Sequence, residues 1–459
     1  MTYLAPRNGL TRRDLLLRAS LGCLGLNLAE PFRAVAADAG PEGARAAAPI
    51  KSCILLYQSG GPSQLDTWDM KPAAPREVRG EFNDIETSVP GLRICEHLPR
   101  LAGLAQRLAI VRSMHHRMRD HNAAATETLC GHTPLEGDII FSDGPNSFPC
   151  FGSVLSRLLP PGLVPPHVAL PQVVSRGGKL PGQGPGFLGA ACSPFQLSQD
   201  PNAADFGVPE LTLPGGMTLA SLEGRRQVLR LIDQHGPAVE PPAAHKTMLA
   251  FRERAFDLLR SDTVRRSFNI AQEDQRTRDR YGRHTYGQSL LLARRLVEAG
   301  VRFVTVNPIG DPELGGGDDW DTHFQNFSIL KDDLLPKTDQ GFSALLEDLE
   351  TRGLLDSTLV IWIGEFGRTP RITSAPGGGR DHWPDCFSMV LAGGGVKGGF
   401  VHGSSDKLAA FPDSDPVSTG DLAATLFWRF GLDPASLIHD RLGRPIRVGE
   451  GEPILKLFL

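Results

Sequence analysis

The chain has 459 residues, of which 41% are hydrophobic and 22% are charged, and its formal net charge is −4. This length suits one large α/β domain or two ordinary ones, and the composition is that of a folded protein rather than a disordered one. The slight acidity excludes the basic surface with which proteins bind nucleic acids, so we expect no nucleic-acid partner.

The N-terminus has the features of an export signal. Two adjacent arginines, Arg12 and Arg13, precede a mildly apolar stretch that ends in the small-residue sequence Ala34-Val35-Ala36. This pattern predicts a twin-arginine signal peptide over residues 1–36 and export to the periplasm or cell envelope. An amphipathic N-terminal helix is the alternative. The stretch is too short to span a bilayer and no later segment is longer, so we expect no transmembrane segment in the mature chain.

Residues 37–50 are rich in alanine, glycine and proline and are predicted to be a linker to a folded domain over 51–459. Short apolar runs recur within that domain, and each predicts a buried strand. Helical periods at 286–300 and 339–358 lead directly into two of these runs. Because this order is typical of a mostly parallel sheet covered on both faces, we predict an α/β fold. The apolar runs cover 52–61, 108–114, 167–172, 301–307, 359–364 and 387–395.

Residues 196–285 differ from the rest of the domain. They contain two charged helical stretches, LEGRRQVLRLIDQHG and KTMLAFRERAFDLLRSDTVRRSF, without a clear strand. We interpret this region as a helical insertion or a subdomain that caps the fold.

Two carboxylates and two imidazoles follow predicted strands, on segments that are far apart in the sequence. Because ligands of open α/β sheets bind beyond the carboxyl ends of the strands, we expect these side chains at one edge of the sheet. Carboxylates mixed with imidazoles suit Zn²⁺ or Mn²⁺, and a catalytic site would keep one position open for water. The sequence therefore predicts a divalent-metal site formed by Asp321, His323, Glu365 and His382.

Spacing alone leaves a structural alternative open. In that interpretation His323 and His382 cap loops, while Glu365 pairs with Arg368 or Arg371. The spacing favours neither interpretation.

Several stretches resemble the alkaline phosphatase and sulfatase superfamily. GFSALLEDLETRGLLDSTLVIWIGEFG resembles the helix–strand unit that ends there in a metal-binding Asp-His-Gly. GRDHWPDCFSMVLAGG is similar to the next unit, which has a metal-binding histidine before a strand, and VSTGDLAATLFWRFGLDP is similar to the closing helix. The resemblance implies a three-layer α/β sandwich in which Asp321, His323 and His382 lie near a metal and Glu365 replaces the aspartate of Asp-His-Gly.

A second resemblance covers nearly all of the mature chain. LLYQSGGPSQLDTWDMKP, PGFLGAACSPF, WDTHFQNF and GEFGRTPRI are similar to an uncharacterised, twin-arginine-exported bacterial family related to that superfamily. This resemblance is specific, whereas the superfamily resemblance covers mainly the metal-binding half.

The departures from the superfamily pattern imply one metal, zinc or manganese, rather than two. Phe366 stands where the superfamily has a metal-binding histidine. Gln58-Ser59-Gly60 stands where its first strand ends in a metal-binding aspartate. Asp66 and Asp69 come several residues later and could reach back to this position, and Asp66 is predicted to contact the substrate.

The nucleophile position of the superfamily falls on His121, in the predicted helix RDHNAAATETLCGH (119–132), with Asn122 beside it. Histidine can form a phosphoryl intermediate, act as a general base or bind a metal, and these roles stay open beside a plain helix-start role. We expect His121 to be catalytic and Asn122 to contact the substrate. Arg368 or Arg371 would clamp the anionic oxygens of the ester.

Two functions are consistent with these residues. The first is an exported, metal-dependent hydrolase of phosphate or sulfate esters that acts on a small anionic ester or glycan. The second is a catalytically degenerate member of the fold that binds a ligand, glycan or cell-envelope partner. The carboxylate of Glu365 and the WDTH and RDHWPD stretches favour the first, and the changes at Phe366, Ser59 and His121 favour the second.

Overall fold

The structure is a computed structural model. Its central element is a nine-stranded sheet. The described residues are 48–175, 179–197, 199–213, 215–235, 252–253, 255–307 and 320–458. The predicted signal peptide (1–36) and nearly all of the predicted linker (37–50) lie outside them. Among the described ranges, no helix has the length and apolarity that crossing a membrane requires.

Each of the six predicted apolar runs contains one strand of the central sheet. Along the sheet the order of the strands is β8-β2-β7-β6-β1-β5-β3-β4, and β9 also pairs with β2. All neighbouring pairs are parallel except those of β7, which runs antiparallel to both β2 and β6. The predicted mostly parallel α/β sheet is confirmed. The strands are β1 Ser52–Tyr57, β2 Leu108–His115, β3 His167–Leu170, β4 Phe195–Gln196, β5 Phe303–Val306, β6 Thr358–Ile363, β7 Phe387–Gly393, β8 Phe400–His402 and β9 Val417–Ser418.

Helices follow and precede these strands along the chain. The longest that lead into strands are α8 and α10, which correspond to the two predicted helical periods. A π-helical turn, Leu330–Leu334, joins α9 to α10. The helices are α1 Arg76–Arg79, α2 Pro99–Gly103, α3 His121–Cys130, α4 Phe151–Leu158, α5 Leu219–His235, α6 Asp262–Phe268, α7 Gln275–Tyr281, α8 Thr285–Glu298, α9 Asn326–Ile329, α10 Leu335–Thr351 and α11 Thr419–Arg429.

Alternate side chains of β1 enter two different cores, because successive residues of a strand point to opposite faces. Ile54 and Leu56 pack in one core with side chains of α8 and α10. Leu55 and Tyr57 pack in the other with side chains of α4 and α11. The sheet therefore forms the middle layer of three, and its continuous apolar strands are buried on both faces.

The region predicted as a helical insertion, 196–285, contains α5, α6 and α7. Strand β4 ends at Gln196, the first residue of that region. Residues 236–251 within it lie outside the described ranges, and the boundaries of the insertion stay a prediction.

Candidate metal centre

The carboxyl ends of the parallel strands β1 and β6 form the edge of the sheet where the predicted site residues gather. Gly60 follows β1 and Glu365 follows β6, and the N–H group of Gly60 donates a hydrogen bond to Oε1 of Glu365 (2.8 Å). Gly60 has a φ of +104°, and a Cβ atom there would lie 2.3 Å from the backbone nitrogen of Asp321. Only glycine allows this conformation and this close approach. Gly60 therefore lets the end of β1, the end of β6 and the segment of Asp321 meet at one point.

Three imidazoles meet around the carboxylate of Asp321. Its Oδ1 atom lies 3.1 Å from Nε2 of His323 and 3.3 Å from Nε2 of His382. Its Oδ2 atom lies 3.3 Å from Nε2 of His121. Ligand atoms of His121, Asp321 and His382 all lie within 4.8 Å of one another, the spacing of a metal-binding group. We call His121, Asp321, His323 and His382 the four-residue cluster.

Short elements deliver two of the imidazoles. His121 is the first residue of α3, where the Asp120 side chain caps the helix by accepting a hydrogen bond from the N–H of Asn122 (2.8 Å). His382 begins a two-residue strand, His382–Trp383, which pairs antiparallel with Gly367–Arg368 just beyond Glu365. Both histidines are thus fixed by backbone hydrogen bonds near the end of β6.

The outer nitrogens of two imidazoles are held by acceptors. The Nδ1 atom of His382 lies 2.7 Å from the carbonyl oxygen of Arg119, which can only accept, so this nitrogen carries the proton and Nε2 has a lone pair. The Nδ1 atom of His323 lies 2.7 Å from Oδ1 of Asp381 in the same way. The two Nε2 atoms face each other at 2.9 Å. Because two lone pairs repel at this distance, the pair requires a proton or a cation.

The pKa shifts agree with a site that attracts positive charge. Burial by itself would raise the pKa of Asp321, but its contacts with the imidazoles of His121, His323 and His382 and the charge of Arg368 hold it well below its usual range. The hydrogen bond with Asp321 raises the pKa of His323, whereas burial lowers the pKa of His382. A metal ion would compete with the proton that the two facing imidazoles share.

These residues fit a divalent cation. Imidazole nitrogens with one carboxylate oxygen are donors that zinc and manganese accept. The acceptors on the outer nitrogens of His323 and His382 are those that commonly orient metal-binding histidines.

Glu365 lies behind the four-residue cluster. Its side chain is fully buried, and Oε1 lies 2.7 Å from Nδ1 of His121. The carboxylate thus contacts the outer nitrogen of His121, and the role of Glu365 as a metal ligand stays a prediction. Arg368, the alternative partner of Glu365, forms an ion pair with Asp321.

Arg368 was expected to clamp a substrate, and its position contradicts this. The side chain is fully buried and forms an ion pair with Oδ1 of Asp321. Its other N–H groups donate to backbone carbonyl oxygens, so Arg368 orients Asp321 and ties loops together. Those carbonyl groups belong to Gly60, Gly61, Trp320 and Arg380.

Asp66 was expected to contact the substrate, and it is also fully buried. Its two carboxylate oxygens accept hydrogen bonds from Arg380 at 2.7 and 3.1 Å, and Asn326 donates to one of them at 3.0 Å. Asp66 is therefore half of a buried ion pair. Asn122 is half-buried, and its Nδ2 donates to the carbonyl oxygen of Phe141; its contact with a substrate stays a prediction.

Two further residues, His116 and Phe366, support the site from behind. His116 is buried and accepts a hydrogen bond at Nδ1 from the N–H of Met118 (3.0 Å), so its Nε2–H donates to the carbonyl oxygen of Glu365. Burial lowers the pKa of His116 to about 4, which keeps it neutral. Phe366 is fully buried and stacks on His382, with ring centroids 4.4 Å apart. The histidine-rich stretch MHHRMRDH carried a signal for His116, but its burial shows only in the fold.

Glu127 in α3 gives a prediction about stability and pH. Its side chain is buried, and burial raises its pKa from 4.5 to about 7, although Thr419 donates a hydrogen bond to it (3.5 Å). Between pH 4.5 and about pH 7 the folded state therefore binds more protons than the unfolded state. The free energy of unfolding falls as the pH rises through this range. We expect Glu127→Gln to raise the free energy of unfolding at pH 8 by as much as about 3 kcal/mol, and by less at pH 5.

Urea unfolding of both proteins at pH 5 and pH 8 measures this difference. Glu136→Gln, at an exposed carboxylate, is the matched control and should change little at either pH. An equal effect of Glu127→Gln at the two pH values would contradict the prediction.

Comparison with known proteins gives one family and several distant structures. Residues 50–458 match the model of a family described as "Protein of unknown function (DUF1501)". No curated protein is detectably similar in sequence.

The chain is similar to several solved structures. One is the PsFucS1 sulfatase from Pseudoalteromonas sp., with 14% identity over 84% of this chain and 68% of that chain and a TM-score of 0.38. Another is the lipoteichoic acid synthase LtaP from Listeria monocytogenes, with 9% identity over 90% of each chain and a TM-score of 0.38. A third is the phosphonate monoester hydrolase SpPMH from Silicibacter pomeroyi, with 12% identity over 90% of this chain and 76% of that chain and a TM-score of 0.35. Because these TM-scores are low, the structural similarities support no conclusion about the activity of this chain.

Proposed function

The chain belongs to the DUF1501 family, and from the geometry of the four-residue cluster we propose that it is a metal-dependent hydrolase of phosphate or sulfate esters. The observation that carries the proposal is the 2.9 Å separation of the His323 and His382 Nε2 atoms beside a carboxylate. Neighbouring lone pairs with their outer nitrogens already engaged are the donor arrangement of a metal site. A bound divalent ion lowers the pKa of water and polarises an ester oxygen, which is the chemistry that ester hydrolysis needs.

Each residue of the site has a proposed role. Asp321, His323 and His382 would hold one zinc or manganese ion, and His121 would complete the set. Glu365 keeps the Nδ1 proton of His121 pointed away from the ion, because its Oε1 accepts at 2.7 Å. Arg368 fixes the carboxylate of Asp321.

Phe366 supports a single ion in place of two. Its ring lies 4.4 Å from the centroid of His382 and 5.0 Å from that of His121, so an apolar side chain packs where a further ligand would be needed. Packing against both imidazoles also limits their rotation and keeps water away from one side of them. Excluding water from that side lowers the local dielectric constant, which strengthens the electrostatic interactions within the cluster.

His121 has two candidate roles that differ in a measurable way. As a metal ligand it would offer Nε2, which lies 3.3 Å from Oδ2 of Asp321. As a catalytic base or nucleophile it would act on the substrate with the same atom. Because a ligand controls metal content and a base does not, His121→Ala separates the two: lost metal indicates a ligand, and retained metal without activity indicates a catalytic residue.

The substrate and location are part of the proposal. A small anionic ester or a glycan that carries one suits a site with a divalent ion. The arginine pair near the N-terminus supports twin-arginine export to the periplasm or cell envelope.

The test is hydrolysis of aryl phosphates and aryl sulfates by the mature protein loaded with zinc or manganese. We expect turnover of at least one ester class, loss of turnover after chelation and its return when metal is restored. His382→Ala should abolish it, whereas His439→Ala, at an exposed histidine, should not. If the loaded protein hydrolyses neither class, the hydrolase proposal fails and a binding protein with the same fold is left.

A further inference from the structure

A cation and two aromatic rings lie side by side next to the four-residue cluster. The carbonyl oxygen of Arg119 accepts the hydrogen bond from His382, and the Arg119 guanidinium lies 5.6 Å from the ring centroid of Trp383. The ring of Trp383 is in turn 5.8 Å from that of Phe411. We call Arg119, Trp383 and Phe411 the ledge. It begins at Arg119, whose carbonyl oxygen holds His382.

The Arg119 side chain is both accessible and held in place. It is 54% exposed, and its Nη2 donates to Oδ2 of Asp385 at 2.8 Å. Two hydrogen bonds from backbone N–H groups, of Arg119 and Asp120, to Oδ1 of Asp138 fix the main chain (2.7 and 2.8 Å). A guanidinium fixed at one nitrogen, over an aromatic ring, is prepared to bind an anion with less loss of side-chain entropy.

The aromatic end of the ledge is open to solvent. Phe411 is 51% exposed and its neighbour Leu408 is 42% exposed. Trp383 is half-buried and anchored, because its Nε1–H donates to the carbonyl oxygen of Ala410 at 2.7 Å. Rigid aromatic surface of this kind costs free energy in water and is typical of a recognition site.

We propose that the ledge binds a sugar unit of the substrate and that Arg119 contacts an anionic ester group on that sugar. The C–H groups on the face of a sugar ring pack against an aromatic ring, whose face is negative. The guanidinium matches the oxygens of a sulfate or phosphate group. This inference rests on the proposed function and makes its substrate more specific, a glycan with sulfate or phosphate esters.

The experiment measures binding of oligosaccharides to the mature, metal-loaded protein by titration calorimetry. The probes are a sulfated oligosaccharide, a phosphorylated one and the neutral parent of the same length. We expect one charged probe to bind and the neutral parent to bind far more weakly; which charged probe binds identifies the ester. Arg119→Ala should weaken binding by at least about tenfold, and Phe411→Ala by about threefold to tenfold.

Two further variants interpret those losses. Arg119→Lys keeps the charge without the planar fork and should recover only part of the affinity. Leu442→Ala, at a side chain that is 76% exposed and outside the ledge, should bind like the wild type. Circular dichroism spectra of all variants check that each is folded.

The outcomes distinguish this inference from the proposed function. The ledge proposal is overturned if no charged probe binds, if the neutral parent binds as tightly, or if Arg119→Ala and Phe411→Ala bind like the wild type. In the last case turnover of aryl esters would leave the hydrolase proposal standing. If instead no ester is hydrolysed but the ledge variants lose affinity, the ledge is a glycan-binding site and the hydrolase proposal fails.

Discussion

Asp321→Asn is expected to lower the metal content of the protein from about one zinc or manganese ion per chain to a small fraction of that. The asparagine keeps the size of the side chain but loses the charge that three imidazoles and Arg368 surround. Outer partners of metal ligands typically contribute 10–100-fold to affinity, so loss of a ligand should exceed about 100-fold. Metal analysis of protein purified without chelator measures the content.

Two variants serve as comparisons for that result. Asp381→Asn changes an exposed carboxylate that contacts the outer nitrogen of His323, so we expect the smaller, 10–100-fold loss. His382→Ala removes a ligand but leaves the ion pair between Asp321 and Arg368 intact, and it should also lose the metal. If Asp321→Asn and His382→Ala both keep a full complement of metal, the four-residue cluster is not the binding site.

Arg380→Met is expected to lower the free energy of unfolding by about 3–5 kcal/mol. Arg380 and Asp66 are both fully buried, and Arg380 also donates to the carbonyl oxygens of Val78 (2.7 Å) and Thr369 (3.0 Å). Methionine fills a similar volume but leaves Asp66 charged and without its partner in the interior. Because single domains unfold with about 5–15 kcal/mol, this loss is a large share of the total stability.

Urea unfolding measures the change, and an exposed ion pair supplies the control. Lys456 and Asp415 lie 2.7 Å apart with side chains that are 65% and 45% exposed, so Lys456→Met should cost less than about 1 kcal/mol. Arg380 is also only two residues from His382, and its loss should weaken metal binding. Similar small costs for both substitutions would mean that the buried pair does not hold the structure together.

The sequence was a good guide wherever a pattern is local. The runs that became β1 and β6 are continuous and apolar because both faces of the strand are covered, and this is visible without the fold. The same reasoning brought Asp321, His323 and His382 to one edge, since parallel neighbours end together. The antiparallel direction of β7 could not be predicted, because an apolar run has the same composition in either direction.

The roles of the charged residues could not be predicted from local sequence patterns. Glu365 faces the outer nitrogen of His121 because α3 packs beside the end of β6, and that placement depends on contacts between residues 244 positions apart. Arg368 and Asp66 were predicted to contact a substrate, but each is buried with a partner supplied by a distant loop. Burial of a charge depends on its partner, so the pairs become apparent only together.

The reversed direction of β7 links the sheet to the chemistry at its edge. Phe387, the first residue of β7, pairs with Met114 near the carboxyl end of β2. The segment that precedes β7, which contains His382, therefore lies at the edge of the sheet where the parallel strands end. A two-residue slip of β7 would preserve which side chains face each core, yet it would move His382 by about 7 Å. An ion bound to residues on both sides of that pairing would favour one register over the slipped one. If the proposed ion binds there, metal occupancy and strand alignment would be coupled, and each would stabilise the other.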